Sequence, residues 1–313
     1  MATAMNRASS AWPNLPYAAW KDTYATLHLW TQIVGKVRLA LSPMANHWWQ
    51  VPLYVTARGL TTSPMPWRGQ AVQIDFDFID HRLTIATSGG RHSVLALEPR
   101  STADFYRAVM GQLAALGVDI AIWPMPVEIP DAIPFDQDRI HGAYDVDYAN
   151  RFWRVLIHGD RLFKEFRGRF LGKASPVHFF WGSFDLAVTR FSGRTAPPHP
   201  GVAPNLGNWV MREAYSHEES SCGFWPGNVA FPEAAFYAYA YPNPVGYDRA
   251  PVAPAAARWD ATLGEFILPY EAVRASPAPD QAILDFLHST YAAAADLAHW
   301  DRTALERQAK EKT

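Results

Sequence analysis

Cysteine is almost absent from this sequence, which has a single copy, Cys222, among 313 residues. A lone thiol excludes an internal disulfide and any metal cluster held by several thiolates of the chain. The first 20 residues lack the uninterrupted apolar core of a secretory signal, and no stretch approaches the roughly 18 apolar residues that a bilayer span needs. We therefore expect a cytoplasmic protein with no membrane partner.

The sequence also lacks an excess of charge of either sign. Its 28 Lys and Arg residues against 30 Asp and Glu residues give a formal net charge of -2 at pH 7. Such a chain has no basic field that would concentrate nucleic acid around it, so we expect no nucleic-acid partner. Hydrophobic residues make up 49% of the chain and charged residues 19%, as is typical of a globular protein with a sizeable core.

Strong catalytic motifs are missing as well. The sequence contains no P-loop, dinucleotide-binding fingerprint, zincin helix or nucleophile elbow. Aromatic residues, in contrast, are abundant, with 13 Trp and 14% aromatic residues overall. So many rings fill a core only if the polar groups of Trp and Tyr find partners, or if some of the rings line a cavity.

The hydrophobic pattern predicts an α+β protein of two lobes, each with a helix, four mainly antiparallel strands and a second helix. In the first lobe, residues 22–41 have apolar side chains at helical spacing, with Asp22 as the predicted cap. A later helix begins at the capping signal of Ser101 and Asp104 and ends at Gly117. Between the helices, the predicted strands cover residues 48–57, 72–78, 83–87 and 92–97.

The second lobe repeats this order. Its first helix has apolar residues from Phe152 to Phe170 on one face, and its last helix begins near Pro277 or Asp280. The predicted strands cover residues 178–191, 213–222, 235–241 and 262–268. Because residues 42–49 and 175–180 both lead from Ser-Pro into a His followed by two aromatic residues, we hypothesise an internal duplication, with chance similarity as the alternative.

The predicted domain boundaries follow from composition. They give an extension over residues 1–20, a first lobe over 21–123, a proline-rich connecting segment over 124–146, a second lobe over 147–300 and a tail over 301–313. Two long loops rich in Pro, Gly and Ala interrupt the second lobe, at residues 193–208 and 242–257. Loops of this length either cover a functional site or are merely mobile.

The densest group of chemically active residues is the segment HFFWGSFDLAVTR at residues 178–190. On one continuous strand, His178 would share a face with Gly182, while Trp181 and Asp185 would share the other. If helices cover one face, the second face presents Trp181 and Asp185 to a cavity, and Gly182 permits close approach of another group. The alternative is a structural Asp185 paired with Arg190 or Arg194.

A second group lies in AYSHEESSCGFWPG at residues 214–227. His217 and Glu218 offer an imidazole and a carboxylate, although neighbours on a strand point to opposite faces. Together with His178 they would form a two-histidine, one-carboxylate set suited to Zn or Fe, which we weigh against histidines that only satisfy a hydrogen bond. Trp225, in a tight turn, either covers a ligand or packs in the core.

Two further strands complete the candidate site. FYAYAYP at residues 236–242 places Tyr237 and Tyr239 on one face, where their phenols could surround a ligand or could face water. Glu265 lies among apolar neighbours, where burial would raise its pKa and make it a candidate base unless an arginine pairs with it.

Several segments resemble an uncharacterised bacterial family that is known as a domain of unknown function. The resemblance rests on HWWQVPLYVTARGL, DFDFIDH, SPVHFFWGSFDLAVTRFSGR, SHEESSCGFWPG, FYAYAYP and GEFILPYE, and it covers nearly the whole chain. It implies a cytosolic protein of about this length. It implies no activity and no catalytic residue.

These observations predict a protein with a small-molecule pocket in the second lobe, and an enzyme of undefined reaction. The aromatic walls would be Trp181, Trp225, Tyr237 and Tyr239, and the reactive groups would be His178, Asp185, His217, Glu218 and Glu265. The alternative is a non-catalytic binding or assembly module whose aromatic patches bury a partner chain.

Overall fold

The structure is a computed structural model that describes residues 12–307. It contains both helices and strands throughout the chain, which confirms the α+β class. The helices of these residues are α1 (Tyr17–Leu41), α2 (Thr102–Ala115), α3 (Val146–Gly168), α4 (Asn208–Ala214), α5 (Tyr270–Ala275), α6 (Pro279–Leu297) and α7 (Arg302–Leu305). The strands are β1 (Tyr54–Val55), β2 (Gly59–Thr61), β3 (Met65–Trp67), β4 (Gln70–Asp77), β5 (Arg82–Thr87), β6 (His92–Ala96), β7 (His178–Phe180), β8 (Asp185–Thr195), β9 (His217–Trp225), β10 (Ala235–Tyr241), β11 (Arg258–Asp260) and β12 (Glu265–Pro269). Short 3-10 turns cover Asn46–Trp48 and Tyr247–Arg249.

The strands form two antiparallel sheets of six strands each. The first sheet has the order β1-β2-β4-β5-β6, and β3 also pairs with β4; the second has the order β11-β12-β10-β9-β8-β7. Leu53, just before β1, exchanges two backbone hydrogen bonds of 2.8 Å with Phe179 of β7. This bridge joins the two sheets at one edge.

Helix α1 lies at the centre of the molecule. It contacts α2, α3 and β3, and 18 of its 25 residues are buried. A continuous cluster of buried apolar side chains runs from Trp12 through Trp30 of α1 to Trp300, so both sheets share one core. Helices α3 and α6 cover one face of the second sheet.

Predicted helices agree with the structure where capping signals are strong. The Ser101 hydroxyl accepts a hydrogen bond of 3.1 Å from the backbone N–H of Asp104, and Gly117 follows α2 with a left-handed φ of 75°. Asp22, in contrast, does not cap α1, because the helix begins five residues earlier after Pro16. The predicted boundary at residue 20 therefore falls inside α1.

Three strand predictions were wrong in extent. The predicted strand at 178–191 is a hairpin, because the backbone turns back at residues 181–184 and Phe180 pairs with Asp185. Residues 48–57 contain only the two-residue β1, since Trp48 has a left-handed φ of 61° within a 3-10 turn. The segment 213–222 contains the end of α4 and only part of β9.

The predicted count of four strands in each lobe was also too low. The short strands β2, β3 and β11, which have three residues each, were not predicted. Because β12 lies between β10 and β11 in the second sheet, the two sheets do not share a strand order. This difference gives the hypothesis of an internal duplication no support.

A separate finding concerns membranes. None of the helices within residues 12–307 combines the length and the apolar character that crossing a bilayer requires.

Glycine substitutions in two helices test how tightly α1 is packed. A methyl group at Gly35 of α1 would overlap the indole of Trp181, whereas a methyl group at Gly111 of α2 would meet open space. We expect Gly35→Ala to lower the free energy of unfolding by about 1–3 kcal/mol through overpacking. Gly111→Ala should raise it by about 0.5–1 kcal/mol, because alanine loses less backbone entropy in a helix. Urea denaturation curves measure both values, and a shift of both variants in the same direction would contradict the packing described here.

Candidate functional site

The face of the second sheet that α3 and α6 leave uncovered forms the floor of a large cavity. The cavity has a volume of about 650 Å³. Alternate residues of the central strands point into it, as expected for a pleated sheet. The strand residues of this floor include Asp185, Ala187, Thr189 and Phe191 of β8, Glu219, Ser221 and Trp225 of β9, Tyr237 and Tyr239 of β10, and Glu265 of β12.

The hairpin of β7 and β8 explains why residues from both strands reach the cavity. Cross-strand partners share a face of a sheet, and His178 pairs with Ala187 while Phe180 pairs with Asp185. His178 and Asp185 therefore both line the cavity, although a single continuous strand would have put them on opposite faces.

Asp185 is the most constrained carboxyl group of the cavity. Its two oxygens accept hydrogen bonds from the hydroxyls of Ser183 and Tyr237, and the residue is 7% exposed. Burial raises its pKa, although the two hydroxyl donors act in the opposite direction. Among residues 12–307 it has no ion pair, so the alternative of a structural pair with Arg190 or Arg194 is wrong.

Gly223 gives Tyr237 the space to reach Asp185. An added Cβ at Gly223 would overlap the phenol of Tyr237 and the backbone oxygen of Leu186. Any larger residue at this position of β9 would therefore displace the tyrosine that donates to Asp185.

Glu128 is a second carboxyl group of the cavity; it is half-buried and comes from the proline-rich connecting segment. Its side chain contacts Gly182 so closely that a Cβ on the glycine would overlap it, as the sequence analysis expected of some group. Its backbone has a left-handed φ of 62°, which costs a non-glycine residue about 1–3 kcal/mol and is typical of functional sites. Burial, and then the charge of Asp185, raise the pKa of Glu128 to about 7.

The backbone around Glu128 is fixed by α1. The side-chain amide of Gln32 donates to the backbone oxygen of Val127 at 2.9 Å and accepts from its N–H at 2.9 Å. On the other side, the N–H of Glu128 donates to the backbone oxygen of Pro204 at 2.8 Å. These bonds hold the strained residue in place.

Glu265 and Glu219 complete the set of acidic groups. Burial, and then the charges of Asp185 and Asp260, raise the pKa of Glu265 to about 8. Burial raises the pKa of Glu219 well above its usual range, although the charge of Lys173 and a hydrogen bond from Tyr239 oppose this effect. Neither glutamate has an ion pair within residues 12–307.

A polar stripe on α1 forms the wall opposite the sheet. Tyr24, His28, Gln32 and Lys36 follow one another at intervals of four residues, which places them on one face of the helix. His28 Nε2 forms a hydrogen bond of 2.8 Å with the backbone oxygen of Gly182, and burial lowers its pKa to about 4. Burial also lowers the pKa of Lys36 to about 8, and its ammonium lies 4.8 Å from the ring centroid of Trp123.

His178 lines the cavity with both ring nitrogens free of protein hydrogen bonds. The residue is fully buried, and burial lowers its pKa to about 3. The ring is therefore neutral at physiological pH, and it can donate one hydrogen bond and accept another. A buried polar group with no protein partner is unusual, and His178 is one of several such side chains within residues 12–307.

Aromatic rings cover much of the remaining wall. The four predicted rings, Trp181, Trp225, Tyr237 and Tyr239, all line the cavity. Trp181 donates its indole N–H to the backbone oxygen of Val51 at 2.8 Å, and the Tyr239 hydroxyl lies 3.0 Å from that of Tyr215. Further rings that were not predicted to contribute also line the cavity, among them those of Trp48, Trp49, Trp123 and Trp209.

Two of the predicted reactive residues lie elsewhere. Glu218 points away from the cavity and forms an ion pair of 2.6 Å with Arg194, so its neighbour Glu219 takes the position expected for it. His217 lies beside His47, with a ring-centroid distance of 5.5 Å, and does not line the cavity. Within residues 12–307, no three His, Cys, Asp or Glu side chains converge as metal ligands, so His178, His217 and Glu218 do not form the predicted Zn or Fe site.

The first of the two long loops covers the cavity. Asn205 and Leu206, together with α4, contribute to its wall, and the loop is tied to Glu128 through Pro204. The second loop contains the fully buried Tyr247 and does not contribute to the wall. Such loops either cover a site or are merely mobile, and residues 193–208 therefore correspond to a cover.

Several residues of the cavity wall that were not predicted nevertheless have recognisable signals in the sequence. Glu128 is an acid between two apolar residues, Val127 and Ile129, in a proline-rich segment. The stripe of α1 is visible as polar side chains at intervals of four residues, from Tyr24 to Lys36. What sequence alone does not indicate is that these two elements lie opposite the second sheet.

The raised pKa values predict how stability depends on pH. The carboxyls of Glu128 and Glu265 have an ordinary pKa of 4.5 in the unfolded chain and pKa values of about 7 and about 8 in the fold. The folded protein binds their protons more tightly, so the free energy of unfolding falls as pH rises from 4.5 to about 8. Asp185 faces both groups, and Tyr237 also faces Glu265.

Glu265→Gln should flatten this fall, because glutamine has no proton to lose. Glu218→Gln is the matched control, since Glu218 lies on the other side of the sheet beside Arg194. Urea denaturation at intervals between pH 5 and pH 9 measures the slopes. Equal slopes for wild type and Glu265→Gln would contradict the burial of this carboxyl group.

Comparison with known proteins agrees with the resemblance seen in the sequence. No curated protein and no solved structure matches the chain. A family of unknown function, DUF5996, matches residues 12–307, which is almost the entire chain. The chain therefore belongs to the DUF5996 family.

Proposed function

We propose that this protein binds a small organic molecule in the cavity of the second sheet and catalyses proton transfer to or from it. The observation that carries the proposal is a cavity of about 650 Å³ lined by the buried Asp185 and the half-buried Glu128 and Glu265, none of which has an ion pair within residues 12–307. A volume of this size suits a small molecule, and perturbed acids in an aromatic-lined recess are typical of catalytic sites.

The carboxyl groups have the properties that acid–base catalysis requires. A general acid or base works best when its pKa lies near the working pH, and Glu128 has a pKa of about 7. We assign Glu128 the role of proton donor and acceptor. Asp185, held by Ser183 and Tyr237, would orient the molecule or stabilise a developing positive charge.

The exposed rings support a cavity rather than an assembly surface. Trp123 is 57% exposed and Trp209 is 64% exposed, and both belong to the cavity wall. Their position is that of rings at an entrance, where they would contact a molecule on its way in. We also propose a cytoplasmic location, which the single, buried Cys222 supports.

A substitution that fills the cavity tests binding. Ala187 is 5% exposed and points into the cavity from β8, so Ala187→Phe should occupy the space that a ligand needs. In a thermal-shift screen against a library of metabolites, we expect compounds that raise the melting temperature of wild type and fail to do so for Ala187→Phe. Compounds that stabilise both proteins equally bind elsewhere, and a screen with only such compounds would overturn the proposed binding site.

A second measurement tests catalysis on the compounds that bind. Glu128→Gln keeps the shape of the side chain and removes its proton, so turnover followed by NMR should fall about 10²- to 10⁴-fold. Glu218→Gln, outside the cavity, should retain wild-type turnover. Unchanged turnover by Glu128→Gln would remove this residue from the mechanism.

A further inference from the structure

The acidic groups of the cavity have an unusual charge environment. The influences that act on the carboxyls of Asp185, Glu128 and Glu265 are burial, hydrogen bonds and other negative charges, and they include no Lys or Arg. Asp185 opposes ionisation of both glutamates. Asp185 thus acts on both glutamates in one cavity, and none of the three acids has an ion pair with a Lys or Arg of residues 12–307.

The two lysines of the region do not change this balance. Lys36 lines the cavity, but its ammonium lies over the rings of Trp123 and Phe135, at 4.8 Å and 6.0 Å from their centroids. Lys173 acts on Glu219 and lies 2.6 Å from His47 Nε2. Within residues 12–307, neither lysine nor any arginine therefore forms an ion pair with Asp185, Glu128 or Glu265.

A metal ion does not fit as the cationic partner of these acids. The described residues contain no group of three His, Cys, Asp or Glu side chains that converge on one point. Large aromatic rings, including those of Trp181, Trp225 and Tyr237, line the same cavity. The faces of such rings attract organic cations, and the rings also bury the apolar substituents of such ions.

We propose that the cavity recognises an organic cation, with its charged amine or ammonium group among Asp185, Glu128 and Glu265 and its apolar part against the tryptophan and tyrosine rings. This inference rests on the proposed function, since it names the ligand class of the same cavity. His178 is a second, independent observation at this wall, because it belongs to the cavity lining and its two buried ring nitrogens have no protein partner.

Three probes of similar shape and different charge test the ligand class. Choline has a trimethylammonium group, 3,3-dimethylbutan-1-ol has an uncharged tert-butyl group in its place, and 3,3-dimethylbutanoate has a tert-butyl group and a negative charge. Isothermal titration calorimetry of the full chain should give choline an affinity at least about tenfold higher than that of the alcohol. The carboxylate should bind most weakly, because it adds a negative charge to the three acids.

Variants assign the effect to the acids. Glu265→Gln should lower the affinity for choline by about fivefold and leave the affinity for the alcohol unchanged, because only the charge is removed. Asp185→Asn provides a second test on another strand of the same floor. Circular dichroism confirms that each variant is folded. Glu218→Gln, on the same sheet but paired with Arg194, should bind all three probes as wild type does.

The outcomes separate this inference from the proposed function. If the alcohol binds as tightly as choline and Ala187→Phe abolishes both, the cavity is a binding site and the cation assignment is wrong. If wild type binds the alcohol but not choline, the assignment is equally overturned. If Ala187→Phe retains wild-type affinity for choline, the cation binds outside the cavity and this inference is overturned, whereas the proposed function is still tested by the thermal-shift screen.

Discussion

Burial of carboxyl groups on one face of a sheet is the constraint that organises the carboxy-terminal half of this molecule. A carboxyl group removed from water lowers stability unless hydrogen bonds or an opposite charge compensate. Here Ser183 and Tyr237 donate to Asp185, and the proton itself is retained where donors are lacking, as the pKa of about 8 for Glu265 indicates. The carboxyl groups on the floor of the cavity are therefore stabilised by hydroxyl donors or by retained protons, and not by ion pairs.

The opposite wall is built from elements that are distant in sequence. Helix α1 supplies the amide of Gln32, which fixes the backbone of Val127 and thereby presents Glu128 to the sheet. His47, Trp48 and Glu128 all line the cavity with left-handed φ angles of 55°, 61° and 62°. Strain of this kind persists only where surrounding contacts over-determine the backbone, and the shared core around α1 provides them.

Local patterns predicted the parts of this fold that local forces decide. The capping signal at Ser101 and the alternation through Tyr237 and Tyr239 both correspond to the structure, since each depends on residues close in sequence. The segment from His178 to Asp185 does not, because its alternation is compatible with a strand and with a hairpin alike. Phe184 has a left-handed φ of 62° in the turn between β7 and β8, and the sequence contains no turn signal at this position stronger than Gly182.

The same limit explains the choice between Glu218 and Glu219. Both are glutamates on one strand, and a shift of one residue exchanges the face that each occupies. The register of β9 is set by its neighbours, with Ser221 opposite Thr189 and Tyr239, and these pairings are not visible in the segment itself. Glu128 was missed for a related reason, since a connecting segment becomes a wall only through contacts with α1 and Gly182.

Arg190 shows how the same sheet accommodates a charged side chain on the face opposite the cavity. It lies on β8 between Thr189 and Phe191, but on the face that α3 and α6 cover. There the fold surrounds its guanidinium with the rings of Phe166 and Tyr291, at 3.5 Å and 4.3 Å from their centroids, and with the backbone oxygen of Phe166. Cys222 lies on the same face, where burial raises the pKa of its thiol to about 12 and leaves it unreactive as a nucleophile. One sheet thus buries a guanidinium on its packed face against aromatic rings and a backbone oxygen, although its Nε has no partner, while its other face carries acids around an open space. Under the proposed function, a molecule that enters this space supplies the cationic partner that Asp185, Glu128 and Glu265 lack within residues 12–307.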